Sequence, residues 1–481
     1  MKALALAVCL GAAPQSGEEP RHGAADLKIG EAAEVEIPGG RKVRVRLLDL
    51  EEFRDDVCDA VRRARVRVEI DGRAEWVESA HYNLPVTVGE FQVDCPITRG
   101  TVANSRTDVW ALRKNARIRI WPAGSPWLAP GTFRYPVRQR WFAGLTQMAN
   151  EPVFVDGGDI PGPRKIYYHW GLDLGGSEGQ VEVVAATDGR VVSAGNALLP
   201  GEEGSPARPR YDVVYLRDGR GWYHRYSHLK TIEVKPGEAV GMGRRIGLLG
   251  KEGASGGWAH LHFDITRRQP SGDWGIEEGY AFLWEAYRRE YAPRIVAVAR
   301  PHHLLWAGQE AVLDGSRSWG QGLRHEWTFG DGTKAEGPRV ARRYERPGSY
   351  SEILKVTDAD GREDYDFAVV QVLDRHRPKD LPPTIHAAYW PTFGLRPGDP
   401  VTFKVRTFRT RDGEERWDFG DGSPPVTVRS DGNAVPLAPD GYAETIHRFE
   451  KPGVYVVRVE RANAAGVRAV THLKVRVGEE P

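Results

Sequence analysis

The sequence predicts an all-β, multidomain protein. Short runs of β-branched residues alternate with Gly- and Asp-containing turns along most of its 481 residues. The composition agrees, because 55 Gly, 33 Pro and 15 Trp beside 14 Phe are typical of turn-rich β modules rather than helical bundles. A module-sized repeat near the C-terminus is the third indication. At about 100–200 residues per domain, the length predicts three or four domains.

The N-terminus has the pattern of a signal peptide over residues 1–20. Lys2 precedes an apolar run from Ala3 to Ala13, and small residues follow. The run is too short to cross a bilayer, and no other segment is long and apolar enough to be a membrane span. A lipid anchor on Cys9 is disfavoured because the bulky Val8 precedes it. We therefore expect an exported protein of the periplasm, the cell surface or the extracellular medium.

Net charge narrows the classes of possible binding partner, and the cysteine content raises the question of a disulfide. A net charge of +1 argues against nucleic acid and against strongly acidic partners. Export would leave Cys58 and Cys95 in an oxidising compartment, where an even pair is a candidate disulfide. Two buried thiols are the alternative.

Residues 26–150 are predicted to form an N-terminal β-rich domain. The strand-like runs 42–47 and 67–70 alternate polar and apolar residues, and Asp71-Gly72 follows the second as a turn. A helix is expected near residues 51–64. The segment has no chemical motif, so its expected role is that of a scaffold or recognition module.

Residues 151–292 are predicted to form a separate antiparallel β domain. Glycine is dense here, and Asp188-Gly189 and Asp218-Gly219 each follow a β-branched run, which indicates two hairpins. A short amphipathic helix over residues 280–291 closes the segment before Pro293.

The C-terminal part contains two copies of one module, predicted over residues 293–375 and 380–478. The sequence WTFGDG at 327–332 recurs as WDFGDG at 417–422, and an aromatic–x–x–Pro-Gly–x–Tyr element follows each copy, at 344–350 and 449–455. Both copies resemble PKD domains, which are small immunoglobulin-like β-sandwiches. The Trp and Phe share an inward strand face, and Gly-Asp-Gly makes the turn after it. Asp331 and Asp421 are therefore interpreted as turn residues and not as catalytic groups.

The chemistry is predicted to lie in a histidine constellation of the middle domain. His169 and Asp173 have an even spacing, which places both on one face of an extended strand. His260 and His262 likewise share a face, with apolar residues on the other, and His228 lies between these pairs. A catalytic zinc site takes three His or carboxylate ligands and leaves one position for water. One His-x-x-x-Asp pair and one His of His-x-His supply three ligands and leave two histidines to move protons.

A cupin barrel also uses His-x-His, but it requires a Glu a few residues later. No Glu occurs over residues 263–268, so the cupin alternative is disfavoured.

Residues 169–265 resemble the lysostaphin-like, or LytM-like, peptidoglycan endopeptidases across the whole catalytic core. The supporting strings are HWGLDL at 169–174, VAATDGRVV at 184–192, YSHL at 226–229, VKPG at 234–237, IGLLG at 246–250 and HLHF at 260–263. The resemblance implies that His169, Asp173 and His262 bind Zn²⁺ and that His228 and His260 are the catalytic pair. All five positions are occupied, which counts against the metal-free members that activate amidases.

Three departures from the family pattern surround the expected groove. They are an extra loop over residues 196–210, Asp212 where a small or amide residue is usual, and Gly257-Trp258-Ala259 before His260. These differences concern substrate preference more than chemistry. Trp170 and Trp258 either line the groove or pack inside the domain.

The predicted function is zinc-dependent hydrolysis of the peptide cross-links of bacterial peptidoglycan. The expected partners are peptidoglycan peptide stems, together with a cell-surface polymer bound by the PKD-like domains. The alternatives are a non-catalytic wall-binding regulator, an adhesion protein with the same fold, and a protease of Gly-rich secreted proteins. The scissile bond, D-Ala–diaminopimelate or Gly–Gly, stays open.

Overall fold

A computed structural model describes residues 22–79, 81–140, 146–147, 161–162 and 165–478. The signal peptide predicted for residues 1–20 lies outside these ranges. Within them the chain is almost entirely β-structure with two helices, so the prediction of an all-β multidomain fold is confirmed. Neither helix is long and apolar enough to cross a membrane.

The N-terminal part is a β-sandwich of two four-stranded sheets. Its elements are Gly23–Leu27 (β1), Ala32–Ile37 (β2), Arg41–Arg54 (β3), Val61–Ile70 (β4), Arg73–Glu78 (β5), Val86–Val88 (β6), Phe91–Thr98 (β7), Arg99–Asn104 (α1) and Ala116–Pro122 (β8). One sheet has the order β1-β8-β7-β6 and the other β2-β3-β4-β5. Alternate residues of both sheets, such as Val45, Val68 and Ile118, meet in one apolar core.

The prediction of a helix near residues 51–64 is wrong. The end of β3 and the start of β4 fill this range as antiparallel neighbours, with Glu51 opposite Arg65 in the register. Their side chains form an ion pair of 2.6 Å across the strands. Charged residues whose spacing suggested the exposed face of a helix are therefore partners across two strands. Burial of alternate positions in β4 fixes the register of this pairing.

The disulfide predicted between Cys58 and Cys95 is also absent from the described residues, and the alternative of two buried thiols is what the structure has. Both residues are buried thiols that belong to different apolar clusters, Cys95 to the sandwich core and Cys58 to a smaller cluster beside it. Burial raises the pKa of the Cys95 thiol to about 12, so it stays protonated and unreactive.

The middle part contains a nine-stranded sheet and a three-stranded one. Its elements are Thr146–Gln147 (β9), Leu172–Gly175 (β10), Glu182–Val184 (β11), Gly189–Ala194 (β12), Ala197–Leu198 (β13), Val214–Arg217 (β14), Tyr223–Ser227 (β15), Leu229–Ile232 (β16), Ala239–Val240 (β17), Arg245–Leu249 (β18), His260–Arg268 (β19), Trp274–Glu277 (β20) and Tyr280–Tyr291 (α2). The large sheet follows β13-β12-β14-β15-β19-β10-β9, and the small one β11-β18-β16.

The predicted helix over residues 280–291 is confirmed by α2, whose apolar side packs on the core of the large sheet. The hairpin expected at Asp218-Gly219 is confirmed, since β14 and β15 pair there. The hairpin predicted at Asp188-Gly189 is wrong, because the two strands that flank this turn, β11 and β12, do not pair with each other. Instead, β11 pairs with β18 and β12 pairs with β14. Residues 128–137, before this segment, also contribute side chains to the same core.

The C-terminal part holds two further β modules. Their strands are His303–Trp306 (β21), Gln309–Asp314 (β22), Arg324–Thr328 (β23), Lys334–Glu336 (β24), Arg339–Tyr344 (β25), Gly348–Thr357 (β26), Glu363–Leu373 (β27), Thr384–Trp390 (β28), Pro400–Phe408 (β29), Glu415–Asp418 (β30), Val426–Val428 (β31), Ala443–Arg448 (β32), Gly453–Ala462 (β33) and Arg468–Val477 (β34). Trp327 and Trp417 are fully buried in their respective cores. Asp331 accepts the backbone N–H of Thr333 at 3.0 Å, and Asp421 that of Ser423 at 3.0 Å, which confirms both as turn residues.

A buried charge network joins the N-terminal sandwich to the middle part. Arg119, on β8, is fully buried. Its guanidinium donates to Asp94 at 2.9 Å, to Glu277 on β20 at 2.6 Å and to the carbonyl of Glu278 at 2.7 Å. Because a buried charge is tolerated only when it is paired, this network fixes the relative placement of the two units.

We predict that Arg119→Ala lowers the free energy of unfolding by about 3–5 kcal/mol, because it leaves the buried Asp94 without its cation and removes one of the two cations beside Glu277, which keeps Arg267. Arg113→Ala is the matched control, since its ion pair with Asp273 is exposed and such a pair contributes about 0–1 kcal/mol. Urea unfolding monitored by Trp fluorescence measures both. Equal, small effects of the two substitutions would contradict the structural role of the network.

Candidate metal centre and active site

The site is built on the antiparallel pair β10 and β19. Asp173 lies directly opposite His262 in the register, and Gly175 lies opposite His260. The intervening Leu261 and the following Phe263 are buried in the core beneath. The predicted strand alternation of His260 and His262 is therefore confirmed, and both imidazoles lie on the same side of the sheet as Asp173.

His169 reaches the site by a different route from the one expected. It precedes β10 instead of sharing a strand face with Asp173, and a turn at Gly171 (φ 72°) lies between them. A Cβ at Gly171 would lie 2.5 Å from the carbonyl oxygen of Phe263, so only glycine lets the turn pack against β19. The turn folds His169 back until its Nε2 lies 2.9 Å from Asp173 Oδ1.

Three potential ligand atoms converge at this point. Nδ1 of His262 lies 2.9 Å from Asp173 Oδ1 and 3.1 Å from His169 Nε2. The ligand atoms of the three residues all lie within 4.8 Å of one another, and all three side chains are buried. Two imidazoles and one carboxylate form a donor set that suits a catalytic zinc ion with an open fourth position. The residues present therefore fit the predicted metal, whose identity stays a prediction.

Asp264 is a further side chain at the candidate site, and the sequence analysis missed it. Nε2 of His262 lies 3.1 Å from Asp264 Oδ2, and Arg225 donates to the same oxygen at 3.4 Å. A carboxylate on the far nitrogen of a ligating histidine fixes the tautomer and leaves the near nitrogen free to bind metal. The available signal was the i, i+2 spacing, which puts Asp264 on the strand face of His260 and His262.

The charges of the cluster favour an ionised carboxylate. Burial alone would raise the pKa of Asp173, but the neighbouring histidines, His169 foremost, hold it well below its ordinary value. Burial also opposes protonation of His262, yet its hydrogen bonds to Asp173 and Asp264 raise its pKa. Because a metal binds only the neutral imidazole nitrogen, protonation of this residue would compete with metal binding.

His228 and His260 lie together beside the three ligand candidates, with ring centroids 4.6 Å apart. Nδ1 of His228 lies 2.7 Å from the carbonyl oxygen of Glu252, and Nδ1 of His260 lies 3.0 Å from that of Trp258. A carbonyl can only accept, so each Nδ1 carries the proton and each Nε2 is an acceptor. Burial lowers the pKa of both rings, that of His260 most strongly, so both are neutral at pH 7.

Asp212 and the extra loop 196–210 hold His228 in place. The buried carboxylate of Asp212 accepts the backbone N–H of His228 at 3.0 Å and pairs with Arg210, at the end of the loop, at 2.7 Å. His228 has a φ of 67°, a left-handed conformation that a non-glycine residue adopts only when its surroundings impose it. Asp212 and the extra loop, which both depart from the family pattern, thus hold His228 in place at the site.

The two tryptophans have different places. Trp258 is 8% exposed and stacks on His260 at 3.8 Å with an interplanar angle of 18°, so it is a packing residue. Trp170 is half-buried at the edge of the site, 6.1 Å from the ring of His262.

We predict that Asp264→Asn weakens metal binding about 10–100-fold, because the partner of a ligating histidine sets its orientation and basicity. Asp273→Asn, an exposed carboxylate beyond the end of β19, should leave the affinity unchanged. Competition titration of the purified chain against a zinc chelator measures both. Equal affinities for the wild type and Asp264→Asn would show that this carboxylate does not orient a ligand.

Comparison with known proteins agrees with this geometry. The sequence model of peptidase family M23 matches residues 167–273, and two PKD domain models match residues 292–372 and 386–477. The family consists of metallopeptidases, and the His-Asp-His cluster is consistent with a metal site.

Three curated relatives illustrate the similarity. The murein hydrolase activator NlpD of Salmonella dublin is 35% identical over 101 residues, 21% of this chain and 24% of that protein. The peptidoglycan DD-endopeptidase ShyA of Vibrio cholerae serotype O1 is 30% identical over 137 residues, 28% of this chain and 27% of that protein.

The lipoprotein NlpD of Yersinia enterocolitica is 34% identical over 99 residues, which are 21% of this chain and 90% of that protein. The chain spans about a quarter of the length of the first two relatives. By its ligand cluster and these matches, the chain belongs to peptidase family M23 and carries two PKD domains after the peptidase domain.

Proposed function

We propose that the chain is a zinc-dependent endopeptidase that hydrolyses the peptide cross-links of bacterial peptidoglycan. The convergence of His169, Asp173 and His262 beside two neutral histidines is the observation that carries the proposal. Membership of peptidase family M23 and the likeness to a peptidoglycan DD-endopeptidase support the substrate class.

His169, Asp173 and His262 are the proposed metal ligands. Bound zinc would lower the pKa of a water molecule toward 7 and polarise the scissile carbonyl. Their burial excludes bulk water from the reacting groups, and Asp264 holds the ring of His262 in the orientation that binding requires.

His228 and His260 are the proposed proton-transfer pair. Each ring uses Nδ1–H to donate to a main-chain carbonyl, so each Nε2 is available to accept a proton from the attacking water. A ring protonated in this way can donate to the departing amine or to the carbonyl oxygen on which charge develops. We assign the two steps to the pair jointly.

The substrate places the protein outside the cytoplasm. We propose that residues 1–20 are a signal peptide and that the chain acts in the periplasm, at the cell surface or in the medium. The proposed units are an N-terminal domain over residues 26–150, the peptidase over 151–292, and PKD domains over 293–375 and 380–478. A surface polymer is the proposed partner of the PKD domains.

A regulator without activity is the second candidate, because one relative is named a murein hydrolase activator. The retained ligand cluster and the neutral histidine pair favour the enzyme, since an activator that acts through another hydrolase needs neither. The same set of variants separates the two functions.

We predict two classes of alanine variant at the five site residues. His262→Ala, His169→Ala and Asp173→Ala each leave two protein ligands, so zinc content and hydrolysis should both be lost. His260→Ala and His228→Ala should keep about one zinc per chain while kcat falls about 10²–10⁴-fold, the usual contribution of a positioned acid–base group. Zinc stoichiometry and hydrolysis of cross-linked muropeptides measure the two effects.

His376→Ala is the control, because this histidine is exposed between the PKD domains and should keep both zinc and activity. Loss of zinc from His260→Ala with retention by His262→Ala would reverse the assigned roles. A wild-type chain that binds no zinc would exclude the enzyme and favour the regulator.

A further inference from the structure

The second PKD domain is docked beside the active site. Three of its polar side chains contact the loop that leads into His260. Arg406 donates to the carbonyl of Gly257 at 2.6 Å, and Asn433 donates to the carbonyl of Gly256 at 3.1 Å. The backbone N–H of Ala259 donates to the hydroxyl of Tyr442 at 2.8 Å. Gly256, Gly257 and Ala259 of a peptidase loop are thus held by β29 and by the segment between β31 and β32.

The fit at this interface is close. Arg406 is fully buried, and the same Nη1 that binds Gly257 also donates to the carbonyl of Pro436. Its Nη2 donates to the Asp431 carboxylate and to the carbonyl of Val435. The guanidinium therefore fixes the 431–436 segment and the peptidase loop at once. A Cβ at Gly257 would lie 2.2 Å from the Asn433 side-chain oxygen, so this glycine allows the two domains to approach.

A continuous series of contacts leads from this interface to a candidate catalytic ring. Tyr442 accepts from Ala259 and donates to Nδ1 of His386 at 2.8 Å. Burial lowers the pKa of His386 to about 3, so the ring is neutral and has one bare nitrogen that can accept this bond. His386 packs against the edge of Trp258 at 5.3 Å, and Trp258 stacks on His260 at 3.8 Å.

The loop needs such support because it is rich in glycine. Gly253, Gly256 and Gly257 all have positive φ values, of 64°, 69° and 89°. Glycine gives up more conformational freedom on ordering than any other residue. Within the peptidase part, the N–H of Gly176 donates to the carbonyl of Ala259 at 3.2 Å, and the contacts from the PKD domain add to that support.

We propose that the second PKD domain is a positioning element of the peptidase active site, in which Tyr442, Asn433 and Arg406 hold loop 256–259 so that Trp258 fixes the ring of His260. The proposal rests on the proposed function, because it assigns the supported ring a role in proton transfer. These residues act through the loop and do not touch substrate. The domain thereby contributes to turnover, beyond any attachment to a polymer.

The test compares three variants of the full chain with the wild type. Tyr442→Phe leaves the buried N–H of Ala259 without an acceptor, Asn433→Ala removes the bond to Gly256, and the third variant combines both. Tyr455→Phe is the matched control, since its hydroxyl donates to the local carbonyl of Lys451 in the same PKD domain. Zinc content, melting temperature, kcat and KM for a cross-linked muropeptide are measured for each.

We expect Tyr442→Phe to lower kcat about five- to tenfold and the double variant to lower it further, because a buried unsatisfied N–H displaces the loop. KM should stay within about twofold and zinc at about one per chain, since ligands and groove are untouched. Tyr455→Phe should match the wild type. Wild-type kcat in the double variant would overturn the proposal and leave the contact as one of stability alone.

Hydrogen exchange of the peptide covering residues 253–260 separates this proposal from the proposed function. Faster exchange in the Tyr442→Phe and Asn433→Ala variants is expected, whether or not the wild type hydrolyses the substrate. If the wild type is inactive and exchange still rises, the loop support holds while the enzyme function fails. Unchanged exchange in both variants would overturn the positioning role whatever the activity.

Discussion

Antiparallel pairing of β10 with β19 places Asp173 directly opposite His262, and the rest of the site depends on this register. A slip of one residue would turn His260 and His262 into the core and expose Leu261. The apolar face prevents the slip, since Leu261 and Phe263 fill the core below the sheet. The hydrophobic pattern that folds the domain is thus the same constraint that brings a carboxylate and an imidazole within 2.9 Å.

The other residues of the site come from segments outside β10 and β19. The turn at Gly171 places His169 at the site. Arg210, at the end of the extra loop, pairs with Asp212, and Asp212 holds His228 in its left-handed conformation. The second PKD domain contacts the site through loop 256–259. Under our proposal, the activity of the peptidase domain depends on a larger part of the chain than the residues that the family model matches.

Local pattern was enough to predict several features. The alternation of His260-Leu261-His262, helix α2 and the two Asp turns of the PKD domains are set by neighbours in sequence, and each was predicted. Features set by contacts distant in sequence were missed or predicted wrongly. The charges near residue 51 form cross-strand pairs, Asp188-Gly189 links strands of different sheets, and Cys58 packs away from Cys95. No local pattern predicts that Tyr442 accepts a hydrogen bond from Ala259, 183 residues earlier.

The most direct test of the central claim is digestion of purified peptidoglycan by the full-length, zinc-loaded chain alone, with the soluble products separated and weighed by mass spectrometry. The account predicts that cross-linked muropeptides disappear and that monomers with one added water per cleaved peptide bond accumulate. It also predicts that a chelator stops the reaction and that zinc restores it. Cross-linked muropeptides that remain at their starting level with the metal bound would contradict the account.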